Sequence, residues 1–84
     1  MKWCYITFRS ITPAQRGEAA LRQAGIRAEL RRTPAGIAEK GCGYCLVVRP
    51  ERGAQAAEVL RTSGVAFRKL YLVDGQGRGE ELVL

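Results

Sequence analysis

The sequence predicts an α+β fold whose elements follow the order β-α-β-β-α-β. The chain has 84 residues, of which 46% are hydrophobic and 26% charged, and these values are typical of one soluble globular domain. Short runs rich in aromatic and β-branched residues alternate with two longer stretches in which apolar residues recur at helical spacing. The two halves of the chain also resemble each other. We therefore expect a single domain over residues 1–84, built from two similar halves.

The first half is expected to form one βαβ unit. Residues 3–9 are rich in aromatic and β-branched side chains, which indicates a strand. Thr12 supplies a helix cap and Pro13 suits the first helical position, so a helix is predicted to begin there and to stop at Gly25. Residues 26–32 alternate between apolar and polar side chains, which predicts a half-buried strand.

The second half follows a connection over residues 33–41, which has its own Thr-Pro start and room for one helical turn. A nearly apolar strand is predicted over 44–48, a helix over 50–63 and a last strand over 66–73. The tail over 74–84 contains three alternating glycines, which predict a turn that leads into a loose or edge segment.

An internal repeat relates the two halves, about residues 3–32 and 42–73. A shift of 39 residues aligns Tyr5 with Tyr44, Leu21-Arg22 with Leu60-Arg61, Gly25 with Gly64, and Ile26 with Val65. Two right-handed βαβ units combine most simply into a ferredoxin-like split fold. We expect two helices on one face of a four-stranded antiparallel or mixed sheet, with strands one and three parallel in its centre.

The repeat also predicts which side chains share a face of the sheet. Cys4, Ile6 and Phe8 alternate along the first strand, and the shift places Cys45 opposite Ile6. Cys4 and Cys45 should then point under the helices. The other, open face would carry Trp3, Tyr5, Thr7, Tyr44, Leu46 and Val48. Such an aromatic and apolar face predicts a contact surface, either for a homodimer or for a ligand or nucleic acid.

Charge and the missing histidines exclude several function classes. Fourteen Lys and Arg against eight Asp and Glu give a formal charge of +6, and no histidine is present. Catalytic triads and zinc sites that need imidazole are therefore excluded. Most of the cations are arginine, which suits carboxylate or phosphate partners, although an ordinary solvated basic surface gives the same composition. The start of the chain is too short and too mixed for a leader or membrane span, so we expect a cytoplasmic protein without membrane contact.

Cys42 is the candidate reactive residue. The three cysteines are Cys4, Cys42 and Cys45, an odd count that favours free thiols over a disulfide framework. Gly41 and Gly43 leave room around the Cys42 sulfur, and Lys40, with Arg31 and Arg32 in range, would favour the thiolate. The alternative is that both glycines serve only the tight entry into the strand.

Cys45 and Cys4 are predicted to be inert core cysteines. Cys42 and Cys45 spell C-x-x-C, but the second cysteine lies in a strand, so the helix dipole that activates such pairs is missing. Three cysteines without histidine leave a tetrahedral metal site short of ligands, and we expect no metal. Whether Cys45 can reach Cys42 to form a disulfide stays open.

The sequence resembles the selenium/sulfur carrier protein-like family of small bacterial and archaeal proteins over residues 3 to about 73. The residues that carry the resemblance are Tyr5-Ile6-Thr7-Phe8-Arg9-Ser10, Ala14, Glu18, Leu21, Ala24-Gly25-Ile26, Arg32-Thr33-Pro34 and Cys42-Gly43. The Cys-Gly pair of the family falls on Cys42 and Gly43. The resemblance implies that Cys42 carries sulfur or selenium.

The implied activity is that of a carrier rather than an enzyme. Cys42 would accept a chalcogen atom from a donor such as a cysteine desulfurase, hold it as a persulfide or selenosulfide, and pass it to an acceptor enzyme. No cofactor beyond this transient adduct is expected. The alternative is a single-stranded nucleic-acid-binding or dimeric interaction module, which would use Trp3, Tyr5, Tyr44 and Leu46 on the open face. A structural or regulatory subunit is the third interpretation.

Overall fold

A computed structural model describes residues 1–37 and 43–83 of the chain. Within these residues it contains five strands, two α-helices and one 3-10 turn. In chain order they are β1 (Trp3–Phe8), α1 (Ile11–Gln23), β2 (Glu29–Arg32), β3 (Tyr44–Val48), the 3-10 turn (Pro50–Arg52), α2 (Gly53–Thr62), β4 (Leu70–Val73) and β5 (Gly79–Leu82). The predicted α+β class and both helices are confirmed, but the sheet has five strands rather than the expected four, because the tail, predicted as a loose or edge segment, forms an edge strand.

The strands form one sheet in the order β2-β3-β1-β4-β5, and every neighbouring pair is antiparallel. β1 therefore lies in the centre between β3 and β4. The expectation that strands one and three are parallel is wrong. The helical crossover from β1 to β2 leaves one strand position free between them, and β3 occupies it. Because β3 reverses direction after β2, it is antiparallel to both β1 and β2.

The fifth strand extends the sheet beyond β4 through a tight turn. The Asp74 carboxylate accepts hydrogen bonds from the backbone N–H groups of Gln76 and Arg78 at 2.9 and 3.0 Å. These bonds and the nearby Arg78 charge lower the pKa of the Asp74 carboxyl. Gly77 has a φ of 81°, which favours glycine. The turn thereby places residues 79–82 at the sheet edge.

Both α-helices end in the same way, as the repeat predicts. Gly25 and Gly64 have φ values of 78° and 72°. In each case the residue after the glycine donates its N–H to the carbonyl of a buried leucine, Leu21 or Leu60, at 2.8 and 2.9 Å. These are glycine-terminated helix ends, in which the left-handed glycine lets the chain turn back onto the core.

Helix α1 begins at Ile11, one residue before the predicted cap. Ser10 occupies the N-cap position without a side-chain cap bond. Pro13 lies in the first turn, where backbone N–H groups have no intrahelical acceptor. The missing N–H of proline therefore costs no helical hydrogen bond. The expected role of Thr12 as the cap is therefore wrong, although the proline does mark the first turn.

Both helices pack on one face of the sheet, here called the helix face. The buried residues between this face and the helices are Cys4, Ile6, Phe8, Ala14, Leu21, Ile26, Leu46, Val48, Ala56, Ala57, Leu60, Val65 and Leu70. Helix α1 approaches the sheet closely at Gly17, where an added Cβ would lie 3.1 Å from Leu46, Leu60 and Phe8 side chains. Glycine at this position sets the distance between helix and sheet.

The side chains of β3 face the opposite way from the prediction. Leu46 and Val48 lie on the helix face with Tyr44 packed beside them, whereas Cys45 lies on the other face. The stretch of chain from the end of the strand to the buried leucine of the helix is one residue shorter in the second half, from Val48 to Leu60, than in the first half, from Phe8 to Leu21. The repeat shift that aligns the helices therefore misaligns the strands by one residue. A misalignment of one residue assigns every side chain of the strand to the opposite face of the sheet.

The remaining side of the sheet, here called the second face, is covered rather than open. Its buried cluster is Tyr5, Ile37, Cys45, Val47, Tyr71 and Val73. Ile37 comes from the β2–β3 connection and crosses the face to pack against Gly79 of β5. Tyr5 is only 9% exposed and Trp3 is 38% exposed. The predicted open aromatic surface of Trp3, Tyr5, Tyr44 and Leu46 is therefore not formed by the described residues.

No helix within the described ranges is long and apolar enough to span a membrane.

Candidate functional site

The predicted reactive segment lies at the start of β3. Lys40, Gly41 and Cys42 fall outside the described residues. Gly43 is described and exposed, and an added Cβ there would meet nothing within 4 Å. Its carbonyl accepts a hydrogen bond from the Thr33 N–H at 3.1 Å. The residue after Cys42 is thus tied to the end of β2 while its surroundings stay uncrowded.

Two arginines predicted to support the Cys42 thiolate, Arg31 and Arg32, have partners at the end of β2. Arg32 donates to the Tyr44 hydroxyl at 3.2 Å, and its guanidinium lies 5.3 Å from the centre of that ring. Arg31 donates twice to the Glu29 carboxylate, at 3.0 and 3.1 Å. This pairing raises the pKa of Arg31. The Arg31 charge is therefore largely balanced, and Arg32 is held against an aromatic ring.

Cys4 is enclosed on the helix face beneath the start of α2. Its side chain has no exposed surface, and an added Cβ on Gly53 would lie 3.0 Å from the Cys4 Sγ. Burial raises the pKa of the Cys4 thiol to about 11. A neutral thiol without access is a poor nucleophile, and this packing leaves no room for an additional chalcogen atom. Cys4 therefore behaves as a small apolar core residue.

Cys45 is equally buried but lies on the second face. Its Sγ–H donates a weak hydrogen bond to the Arg32 carbonyl at 3.9 Å. Burial raises the pKa of the Cys45 thiol to about 11, although the Thr33 hydroxyl and the Arg31 charge both act to lower it. The predicted direction of Cys45 under the helices is wrong, since β3 is displaced by one residue from the repeat alignment.

The two buried thiols make stability depend on alkaline pH. Their pKa values are higher in the folded chain, about 11, than the ordinary value of 9.0, so an unfolded chain loses the protons first. Each thiol contributes about 2–3 kcal/mol to the free energy of unfolding. This contribution is complete below about pH 9 and is lost as the pH rises through about 11. Urea unfolding near both pH values should show that the free energy of unfolding falls less on going to alkaline pH for Cys4→Ala than for the unaltered protein. An equal loss in both proteins contradicts a raised Cys4 pKa.

A basic groove lies at the opposite end of the sheet from Gly43. It has a volume of about 590 Å³, and four arginines line it, Arg27, Arg31, Arg49 and Arg52. Trp3 also lines the groove. Sequence reasoning missed this set because the arginines come from two separate segments, around β2 and after β3, and Trp3 comes from a third. Only the antiparallel register, which places the start of β1 beside the end of β3, brings these segments together.

Neither sulfur nor carboxylate clusters suggest a metal centre. Among residues 1–37 and 43–83, no three Cys, Asp or Glu side chains are grouped closely enough to hold an ion.

Comparison with known proteins identifies the family of the chain. No curated protein and no solved structure matches it. The model of the family described as "Putative Se/S carrier protein-like" matches residues 3–72, which include β1 to β3, both helices, most of β4 and the Cys42-Gly43 pair. The match covers most of the 84 residues. The chain belongs to the Se/S carrier protein-like family.

Proposed function

We propose that the protein carries sulfur or selenium on Cys42 and transfers it from a donor protein to an acceptor. The family match supports the carrier role. The observation that supports Cys42 as the carrying residue is the burial of the other two thiols, because Cys4 and Cys45 have no exposed surface. Cys42 is the remaining cysteine of the sequence.

The proposed loading step is a thiolate exchange. The Cys42 thiolate attacks the terminal sulfur of a persulfide on the donor, a new S–S bond forms at Cys42, and the donor cysteine leaves as a thiolate. Selenium is loaded in the same way from a donor that holds a selenosulfide. No oxidant is consumed, because the donor already holds the chalcogen at the oxidation level of the product.

Unloading repeats the exchange with an acceptor thiolate, which attacks the terminal chalcogen and releases the Cys42 thiolate. The adduct is transient, and the proposed carrier needs no bound cofactor. The exposure of Gly43 supports access, because even an added Cβ there would meet nothing within 4 Å beyond its chain neighbours. Gly41 and Lys40 are proposed to add backbone freedom and a positive charge beside the thiolate.

Discharge by the second cysteine of the C-x-x-C pair is the competing outcome. Cys45 is buried on the second face, where its Sγ–H donates to the Arg32 carbonyl, and burial raises the pKa of its thiol to about 11. Attack on a Cys42 persulfide needs a Cys45 thiolate, which is scarce at neutral pH. The burial of Cys45 therefore favours carriage over disulfide formation.

Loading can be tested by intact mass without reductant. The reduced protein is incubated with a cysteine desulfurase and cysteine, and in parallel with the same donor and selenocysteine. We expect a gain of one sulfur or one selenium atom, and the ratio of the two products ranks the elements.

Two variants control the loading test. Cys42→Ser should abolish the adduct, whereas Cys45→Ser should keep it and lengthen its lifetime at most modestly. No adduct on the unaltered protein, or a loss of two hydrogens that requires both cysteines, contradicts the carrier function and indicates a redox function instead.

A further inference from the structure

The basic groove has excess positive charge that the described part of the chain does not neutralise. Glu29 lies in the groove, but Arg31 already binds it with two hydrogen bonds. Within residues 1–37 and 43–83, Arg27 and Arg49 make no ion pair, and Arg52 donates only to the neutral Gln55 side chain. Arginine stays protonated at any physiological pH, so these like charges repel one another unless an anion joins them.

The shape of the groove suits a small molecule. A volume of about 590 Å³ lies within the range of small-molecule sites in proteins. Val47 and Val48 line it together with Trp3, which is 38% exposed. An apolar wall beside converging guanidinium groups is an arrangement that can hold an organic group on one side and a charged group on the other.

The charge of the groove favours phosphate over carboxylate. A carboxylate offers two oxygens and one negative charge, which one guanidinium satisfies in a bidentate pair. Arg27, Arg49 and Arg52 together offer three positive charges from two separate segments. A phosphate monoester has three terminal oxygens and nearly two negative charges, so it can accept from several guanidinium groups at once.

We propose that this groove binds a small phosphate ester, with the phosphate on Arg27, Arg49 and Arg52 and the organic group against Trp3 and Val47. The groove lies away from Gly43, the residue that follows Cys42 in the sequence. Gly43 adjoins the end of β3 that pairs with Phe8, whereas Val48, at the other end of β3, lines the groove about 15 Å further along the strand. The proposal does not depend on the chemistry of Cys42.

The single tryptophan of the chain provides a direct reporter of the groove. Trp3 fluorescence is followed while phenyl phosphate, inorganic phosphate or sodium chloride of equal ionic strength is added to the full chain. We expect a saturable change with phenyl phosphate, a weaker one with inorganic phosphate, and none with sodium chloride. Phenyl phosphate should also raise the melting temperature, because it binds the folded state alone.

Matched double variants locate the binding. Arg27→Gln with Arg49→Gln should weaken phenyl phosphate binding at least tenfold, since each lost charge-assisted hydrogen bond is worth roughly that factor. Arg9→Gln with Arg16→Gln removes the same charge from exposed positions outside the groove and should change affinity less than twofold. The melting temperature of each variant alone shows that it is folded.

Three results overturn the proposal. One is the absence of a saturable response to both phosphate compounds. Another is equal affinity in the two double variants, which shows general charge attraction. The third is a response to a poly-glutamate peptide but to neither phosphate compound, which assigns the groove to docking of an acidic protein.

Discussion

The Cys42→Ser variant is expected to react with an aromatic disulfide reagent at least 100-fold more slowly than the unaltered native protein at neutral pH. The two thiols that remain, Cys4 and Cys45, are fully buried. A rise in pKa from 9.0 to about 11 alone lowers their thiolate fraction about 100-fold, and burial slows access further. The rate is read from the absorbance of the released aromatic thiolate.

The same reagent in denaturant provides the count of thiols. Unfolded Cys42→Ser should release two equivalents and the unaltered chain three, since the sequence has three cysteines. Cys45→Ser is the matched control and should keep the fast native reaction. If native Cys42→Ser still reacts rapidly, one of the two other thiols is accessible, and the assignment of the carrier role to Cys42 loses its support.

Replacement of Ile37 by alanine is expected to lower the free energy of unfolding by about 2–5 kcal/mol. Ile37 is buried over the second face, where it lies against Gly79 and belongs to the buried cluster that includes Tyr71 and Val73. Truncation removes buried methyl groups and leaves a cavity that the rigid sheet beneath fills only in part. Urea unfolding followed by Trp3 fluorescence measures the change.

Replacement of an exposed isoleucine by alanine is the control that separates the effect of burial from the effect of the same change of side chain. Ile11 is 39% exposed at the start of α1, and Ile11→Ala should cost less than about 1 kcal/mol. A loss below about 0.5 kcal/mol for Ile37→Ala contradicts the covered second face.

The elements specified by local chemistry could be predicted from the sequence. Gly25 and Gly64 end the helices because glycine adopts positive φ without strain, and this preference acts within a few residues. The alternation of residues 26–32 likewise predicted the face of Leu30, which packs on the helix face. Each of these features depends on neighbours along the chain, so the sequence pattern was sufficient.

Features that depend on register could not be predicted in the same way. The face of Cys45 depends on the length of chain between β3 and α2, and a difference of one residue from the first half inverted it. Strand β5 has the sequence Gly-Glu-Glu-Leu, which carries no strand signal; pairing with β4 through the Asp74 turn makes it a strand. The groove arginines meet only after the sheet has formed.

The candidate site was predicted in its residue types but not in its surroundings. Gly41, Cys42 and Gly43 stand out in the sequence because a cysteine between two glycines is sterically accessible. The burial of Cys4 was also predicted in the correct direction. The cover that Ile37 places over the second face was not, because a residue in a connection carries no periodic signal of the face that it crosses.

The measurement that tests the central claim most directly is the position of the chalcogen atom after loading. Trypsin cleaves after Lys40 and after Arg52, because Pro50 blocks cleavage after Arg49, so both Cys42 and Cys45 lie in the peptide 41–52, and fragment ions from an unreduced digest separate the two. We predict that the added sulfur or selenium lies on the fragment that contains Gly41 and Cys42. An added atom on the fragment that contains Cys45, or an unloaded disulfide-bonded peptide, would contradict carriage on Cys42.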